Sequence, residues 1–218
     1  MSAAPLGAGR QYAGKSLADR RSEQHERLLL AARDVFAARG YVGTAIDEIV
    51  AVARVSRTTF YVFFESKEEC LLAVYRLAQL RIGEAVASAA ARTAEQGLSP
   101  VELIRAEVRA TLQAYASDPA LARIALVEIV GATPAAEDVH ARGRSAAAMI
   151  IQRRMEAYPY WRARPERDRR VASLAAMAAI GESLADLVVT DRMDEWETLV
   201  DPLSEFIGRA LIDPRELP

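Results

Sequence analysis

Along the body of this chain, side chains able to cap a helix stand immediately before a proline at Ser99-Pro100, Asp118-Pro119, Thr133-Pro134 and Asp201-Pro202. Proline has a fixed helical φ and no N–H, so it suits the first turn of a helix and little else within one. The oxygen before it accepts a hydrogen bond from an otherwise unpaired N–H of that turn. Each pair therefore reads as a helix start. Ser99-Pro100-Val101-Glu102 adds a glutamate three residues on, a capping box, and Ser66-Lys67-Glu68-Glu69 follows the same logic. Gly40 and Gly97 read as stops. Strand signals are scarce: there are few β-branched alternations and no Asn-Gly hairpins, while Ala, Leu, Arg and Glu dominate. The spacing predicts an all-α chain with helices near 22–39, 45–52, 56–63, 66–94, 100–116, 119–131, 135–157, 165–190 and 202–212, and a short turn at 194–200. Three short helices precede longer ones, so an N-terminal three-helix unit ending near Phe64 joins a larger helical body.

With 218 residues, 51% of them apolar, the chain can bury one large core or two small ones. Its net charge of −2 points by itself to neither nucleic acid nor an acidic tail. The charge is uneven, however. Residues 1–64 hold nine Lys/Arg against six Asp/Glu, a net +3, which leaves −5 for the rest. Cys70 is the single cysteine, so no internal disulfide forms and a reducing cytoplasm is expected. No run is read as approaching the length of a membrane span, and residues 1–21 lack the apolar core of a secretory signal. Residues 1–21 are expected to be a flexible tail, with a basic arm built on Arg10, Lys15, Arg20 and Arg21 as the other reading.

The most informative stretch is 44–64. Thr44 is placed to cap a helix whose Ile46, Ile49, Val50 and Ala53 form one apolar stripe. Arg54-Val55 leaves only a tight turn before Ser56, which can cap the next helix, so the two form a helix-turn-helix. On a helical wheel Phe60, Phe63 and Phe64 share one side, and Arg57, Thr58, Tyr61 and Val62 the other. The phenylalanines are expected to bury against Leu29, Ala32, Phe36 and Ile49 and so hold a helix too short to persist alone. The opposite face suits a DNA major groove. Arg57 can make a bidentate contact to guanine, Thr58 and Val62 can touch thymine methyls, and Ser56, Thr59 and Tyr61 can donate to phosphates. Lys67, at the start of the following helix, is a further phosphate candidate. The wheel alone also fits a packed helical corner with a solvated polar face.

The segment around residues 27–76 resembles the N-terminal domain of TetR-family transcriptional regulators. The matching features come in order: apolar Leu28–Ala32, Phe36, Gly40-Tyr41, Thr44, Ile49, Val55-Ser56, Thr59-Phe60-Tyr61, Phe64, Ser66-Lys67-Glu68 and Leu71. The resemblance implies a recognition helix carrying Ser56 to Tyr61, with Arg57 at a base-reading position. It implies phosphate contacts at Tyr61, Lys67 and Thr44. Its DNA-binding domain would span 22–68, followed by a ligand-binding and dimerisation domain over 69–218. The chain departs from the pattern at Arg54 and Thr58, where the family often has glycine, and at Val62 and Phe63, where it often has His or Tyr. A different operator sequence follows.

Residues 77–218 carry no comparably specific motif. By the resemblance they form an effector-sensing body that pairs with a second copy, and the stripe Leu174, Ala178, Gly181 and Leu184, with Phe206 and Ala210, is expected to dimerise. Tyr115, Met149, Met155, Trp161, Met177 and Glu182 are candidate pocket liners, each also readable as core or surface. Catalysis has no support: His25 and His140 are the only histidines, both read as solvated, and neither has metal-ligand spacing. No metal or cofactor is expected. The reading is a homodimeric regulator of an inverted-repeat operator in double-stranded DNA, most simply a repressor relieved by a small molecule. The alternatives are an activator, or a helical carrier or interaction module that has lost DNA binding.

Overall fold

In the computed structural model, which describes residues 17–156 and 159–212, α1 (Leu17–Gly43) already runs at Leu17, a turn earlier than its sequence signals suggest. The expectation of a flexible tail is corrected for residues 17–21; residues 1–16 lie outside the described part. Gly40, at φ +73°, breaks α1 in the left-handed region that favours glycine, as its reading as a stop implies. Then follow α2 (Ile46–Ala53), α3 (Arg57–Phe63), α4 (Lys67–Gln96), α5 (Pro100–Ala116) and α6 (Pro119–Arg123). The chain continues through α7 (Pro134–Met155), a single turn α8 (Pro159–Arg162), α9 (Glu166–Val189) and α10 (Val200–Leu211). A 3₁₀ segment, Met193–Leu199, fills the expected turn before α10. No strand occurs among the described residues.

The proline starts behave as their chemistry requires, with one exception. The Ser99, Asp118 and Thr133 side chains accept from the N–H groups of Glu102, Leu121 and Ala136 at 3.4, 3.1 and 3.0 Å. Asp201 does not cap: α10 begins one residue earlier, out of the 3₁₀ segment, and the Asp201 carboxylate instead accepts from Arg105 of α5 at 2.6 Å. The helix expected over 119–131 is also different. After Arg123 it widens into a π-helical turn, Ile124–Glu128, a feature that marks functional bulges and that local sequence preference does not encode.

One apolar core joins Leu28 and Phe36 of α1, Ile49 of α2, Phe60 of α3 and Leu71 of α4. The same core continues without a break into Leu121 of α6 and Ile124 and Ile129 around the π turn. A second core sits in the body, where Val108 and Leu112 of α5 meet Leu184 of α9 and Leu203 and Ile207 of α10.

α9 is more apolar than the sequence reading allows. By length and composition it passes for a membrane span, with a mean hydropathy of 1.6 over its best window. The Ala-rich run, interrupted there only by Glu182 and Asp186, reads as amphipathic until hydropathy is averaged. In the structure α9 packs on α7 and α10 and leaves uncovered a face of Val171, Ala175, Ala178 and Val189 that also carries Glu182 and Asp186.

Candidate nucleic-acid interface

The display of α3 depends on how its two ends are fixed. Arg54, between α2 and α3, takes φ +53° and ψ +48°, so a non-glycine residue turns the corner in the left-handed region. Ser56 caps α3: its Oγ accepts from the Thr59 N–H at 3.0 Å and shares a hydrogen bond with Thr59 Oγ1 at 2.8 Å. Phe60 and Phe64 are buried, their ring centroids 5.4 Å apart. Phe63 is only half-buried, against the expectation of three buried anchors. It lies against His25 at 5.2 Å and beneath the Arg21 guanidinium at 5.7 Å. His25, which also meets Phe64 at 5.5 Å, is thus an aromatic packing partner rather than a solvated side chain.

With the apolar side pinned, Arg57, Thr58, Tyr61 and Val62 all face outward. The structure brings these four together on one exposed surface, with Ser56 at its edge and Thr59 half-buried beside it. Arg57 is already engaged: Nη1 donates to Asp47 Oδ1 of α2 at 2.7 Å and Nη2 to the Tyr61 hydroxyl at 3.4 Å, and these partners hold the guanidinium charge even more firmly.

Two expected phosphate ligands face inward in the structure. Thr44 does not cap α2; Ala45 holds that position, its N–H donating to Glu48 at 3.0 Å. Thr44 is buried, and its hydroxyl donates to the Gly40 carbonyl at 2.7 Å, because the break in α1 leaves that oxygen free. Lys67 also turns inward. Its Nζ donates to the carbonyls of Tyr41 and Thr44 at 2.7 and 2.8 Å and sits 4.4 Å from the centre of the Tyr41 ring. Thr44 thus braces the α1–α2 junction from within and Lys67 ties that junction to α4, instead of either reaching outward.

The N-terminal helices are tethered to the body by two acids that sequence reasoning passed over. Asp118, the cap of α6, also accepts from Arg33 of α1 at 2.9 Å and from Arg81 of α4 at 3.1 Å. Glu128, closing the π turn, accepts from the Tyr41 N–H at 3.1 Å, just beyond Gly40, and from Arg123 at 3.2 Å. Neither has a local sequence signal beyond Asp118's cap, since their partners lie 85 and 87 residues away. Beside this tether lies a cleft of about 10 Å³ lined by Ala78, Arg81, Ile82, Tyr115, Leu121 and Ala122, room for little more than a water molecule. Of the candidate liners only Tyr115 borders it. Met155 and Trp161 are buried elsewhere, Trp161 donating to the Leu211 carbonyl at 2.6 Å, and Met149 is exposed. Met177 and Glu182, on α9, do not line it either. No cluster of acids, His and Cys able to hold a metal occurs among the described residues.

Residues 28–74, spanning all of α2 and α3, match the family model described as bacterial regulatory proteins, tetR family. A TetR-like transcriptional regulator from Rhodococcus sp. RHA1 has the same fold over 90% of this chain and 99% of its own, at 25% identity and a TM-score of 0.65. Residues 28–74 thus carry the N-terminal domain of the TetR family of bacterial regulatory proteins. This is a family of DNA-binding transcriptional regulators, and α1 to α3 form the family's helix-turn-helix unit. Among curated proteins, the HTH-type transcriptional activator FasR of Mycolicibacterium smegmatis is 46% identical over 54 residues, a match spanning only 25% of either chain. The fold is also that of FadR from Bacillus subtilis, solved in complex with stearoyl-CoA. That likeness has a TM-score of 0.70 at 18% identity and covers 84% of this chain and 97% of that one.

The surface of the helical body divides the stripe expected to dimerise. Ala178 and Phe206 are exposed, and Leu174, Gly181 and Ala210 are half-buried. Leu184 is fully buried in the second core and is corrected to an intramolecular contact, because the Leu184 face of α9 packs on α5 and α10. Val171, Ala175 and Val189 add to the uncovered face instead.

Proposed function

We propose that this TetR-family protein is a cytoplasmic homodimeric repressor whose two α3 helices enter successive major grooves of an inverted-repeat operator. The observation that carries the reading is the outward set Arg57, Thr58, Tyr61 and Val62 on a helix pinned from behind by Phe60 and Phe64. Arg57 reads guanine, Thr58 and Val62 meet thymine methyls, and Tyr61 donates to phosphate, with Ser56 and Thr59 serving chiefly to fix the helix start. Thr44 and Lys67 shape the unit rather than touch DNA. One helix of seven residues reads few bases, so two copies are needed, spaced about 34–36 Å apart. The uncovered Ala/Val face of α9 with Phe206 of α10 supplies the twofold contact. The division into a DNA-reading unit over 22–68 and an effector-binding, dimerising body over 69–218 belongs to this proposal. So does the effector class, an amphiphile with a long apolar chain, supported by the stearoyl-CoA held by the Bacillus subtilis protein of the same fold.

Effector binding opens the closed cleft beside Arg81, disturbs the Asp118 and Glu128 tethers, and changes the separation of the α3 helices. The effector must favour the opened conformer for any release to follow. A second reading, activation, is favoured by the name of the Mycolicibacterium smegmatis relative. Selection of duplexes from a random library, followed by a promoter–reporter assay with and without long-chain acyl-CoA, tests both. Repression lifted by acyl-CoA supports the first reading, and transcription raised above the protein-free level supports the second. Failure to select any sequence removes both.

A further inference from the structure

Arg57 is held from two sides before any DNA arrives, and the partner on α2 is an acid. Asp47 is the second residue of α2, and the left-handed turn at Arg54 folds α3 back so that Asp47 Oδ1 meets Arg57 Nη1 at 2.7 Å. On the other side the Tyr61 hydroxyl lies 3.4 Å from Nη2, and the guanidinium carbon is 5.8 Å from the Tyr61 ring centre. A guanidinium has five N–H donors, so the two contacts leave three for a base edge. Both members of the ion pair are largely exposed, with 54% and 70% of their side chains accessible, and such a pair adds little to stability. A carboxylate on a surface that must approach phosphates also opposes binding. An acid in the first turn also suits the N-terminus of α2, but Glu48 already serves there, so the contact of Asp47 with Arg57 points to orientation.

We propose that Asp47 is a positioning residue for base reading, fixing the Arg57 fork toward guanine and disfavouring its collapse onto a neighbouring phosphate. The inference rests on the reading of α3 as the groove-reading helix. A free arginine has four torsions to freeze on binding, and the ion pair with Tyr61 freezes them beforehand, so the fork arrives in one geometry. A fork free to swing would find a phosphate in any sequence. Asp47 therefore trades non-specific attraction for discrimination, which is how repulsive elements raise specificity.

The test uses the full-length protein and a duplex selected from a random library by the wild type. Affinities for that duplex and for each singly substituted version are measured with wild type, Asp47→Asn, Asp47→Glu, Arg57→Ala and the double variant Asp47→Asn/Arg57→Ala. Arg57→Ala identifies the base pair that Arg57 reads. At that pair Asp47→Asn lowers discrimination by roughly tenfold, while binding to unrelated DNA tightens and the thermal midpoint stays at the wild-type value. Asp47→Glu keeps the charge on a longer stem, so binding to unrelated DNA stays as in wild type while discrimination still falls. In the double variant Asp47→Asn causes no further loss, because its effect runs through Arg57. If Asp47→Asn tightens all duplexes equally with discrimination intact, Asp47 merely masks charge and the proposal is wrong. If Arg57→Ala itself leaves the preferred sequence unchanged, the base-reading role of Arg57 fails first and the role of Asp47 with it.

Discussion

Arg54 occupies a left-handed corner that costs a side-chain-bearing residue about 1–2 kcal/mol relative to glycine. Arg54→Gly is expected to stabilise the protein by about 1 kcal/mol in urea unfolding, after allowance for the greater freedom of glycine in the unfolded chain. Lys67 gives the opposite result from its sequence reading. Lys67→Met leaves the carbonyls of Tyr41 and Thr44 without their donor, so stability falls by about 1–2 kcal/mol. The salt dependence of DNA binding stays unchanged, because a side chain turned inward releases no counterions. An anisotropy titration at several salt concentrations separates the two roles. Cys70 needs no functional explanation: it is a buried residue of the first turn of α4, and burial pushes its thiol up to about 12, so it is inert near neutrality.

Among the elements, the junction of α1 with the π turn after α6 joins the N-terminal helices to the body. Gly40→Ala forces a β-carbon into a positive φ and to within 3.0 Å of Glu128 Oε2, the atom that accepts from Tyr41. A loss of about 2 kcal/mol in unfolding free energy is expected. Hydrogen exchange should quicken at the Tyr41 amide first, whereas uniform exchange along α1 would argue that the tether is not local. Helix starts were legible in the sequence because each needs only a side chain and its own next turn, as Ser99, Asp118 and Thr133 illustrate. The outward face of α3 was legible for the same reason, since a seven-residue wheel is a local object. What stayed hidden depends on residues far apart. Lys67 turns inward because the Gly40 break exposes carbonyls 23 and 26 residues earlier in the chain. The π turn and the Asp118 and Glu128 tethers likewise exist only once α1 lies against α6. Asp47 was within reach of local reasoning: an acid at the second position of α2 faces the first residue of α3 across any tight corner.

For the molecule as a whole, pH and assembly offer separate tests. His140 lies 3.3 Å by its Nδ1 from the buried Tyr75 hydroxyl, and burial, with Arg144 nearby, lowers its pKa from the ordinary value of 6.5. The folded state therefore binds this proton less readily than the unfolded chain, so stability is lost as pH falls below about 6.5 and the loss levels off below the folded pKa. His140→Gln should flatten that part of the profile in thermal unfolding between pH 5 and 8. Phe206→Glu places a charge on the uncovered α9–α10 face and is expected to shift sedimentation from dimer to monomer with the fold intact. The most direct test of the whole account is the anisotropy titration of a library-selected duplex with wild type and Arg57→Ala. An inverted repeat bound by two protomers is expected, with Arg57→Ala relaxing one base pair in each half-site. A selected sequence without twofold symmetry, or one that Arg57→Ala reads unchanged, would contradict it.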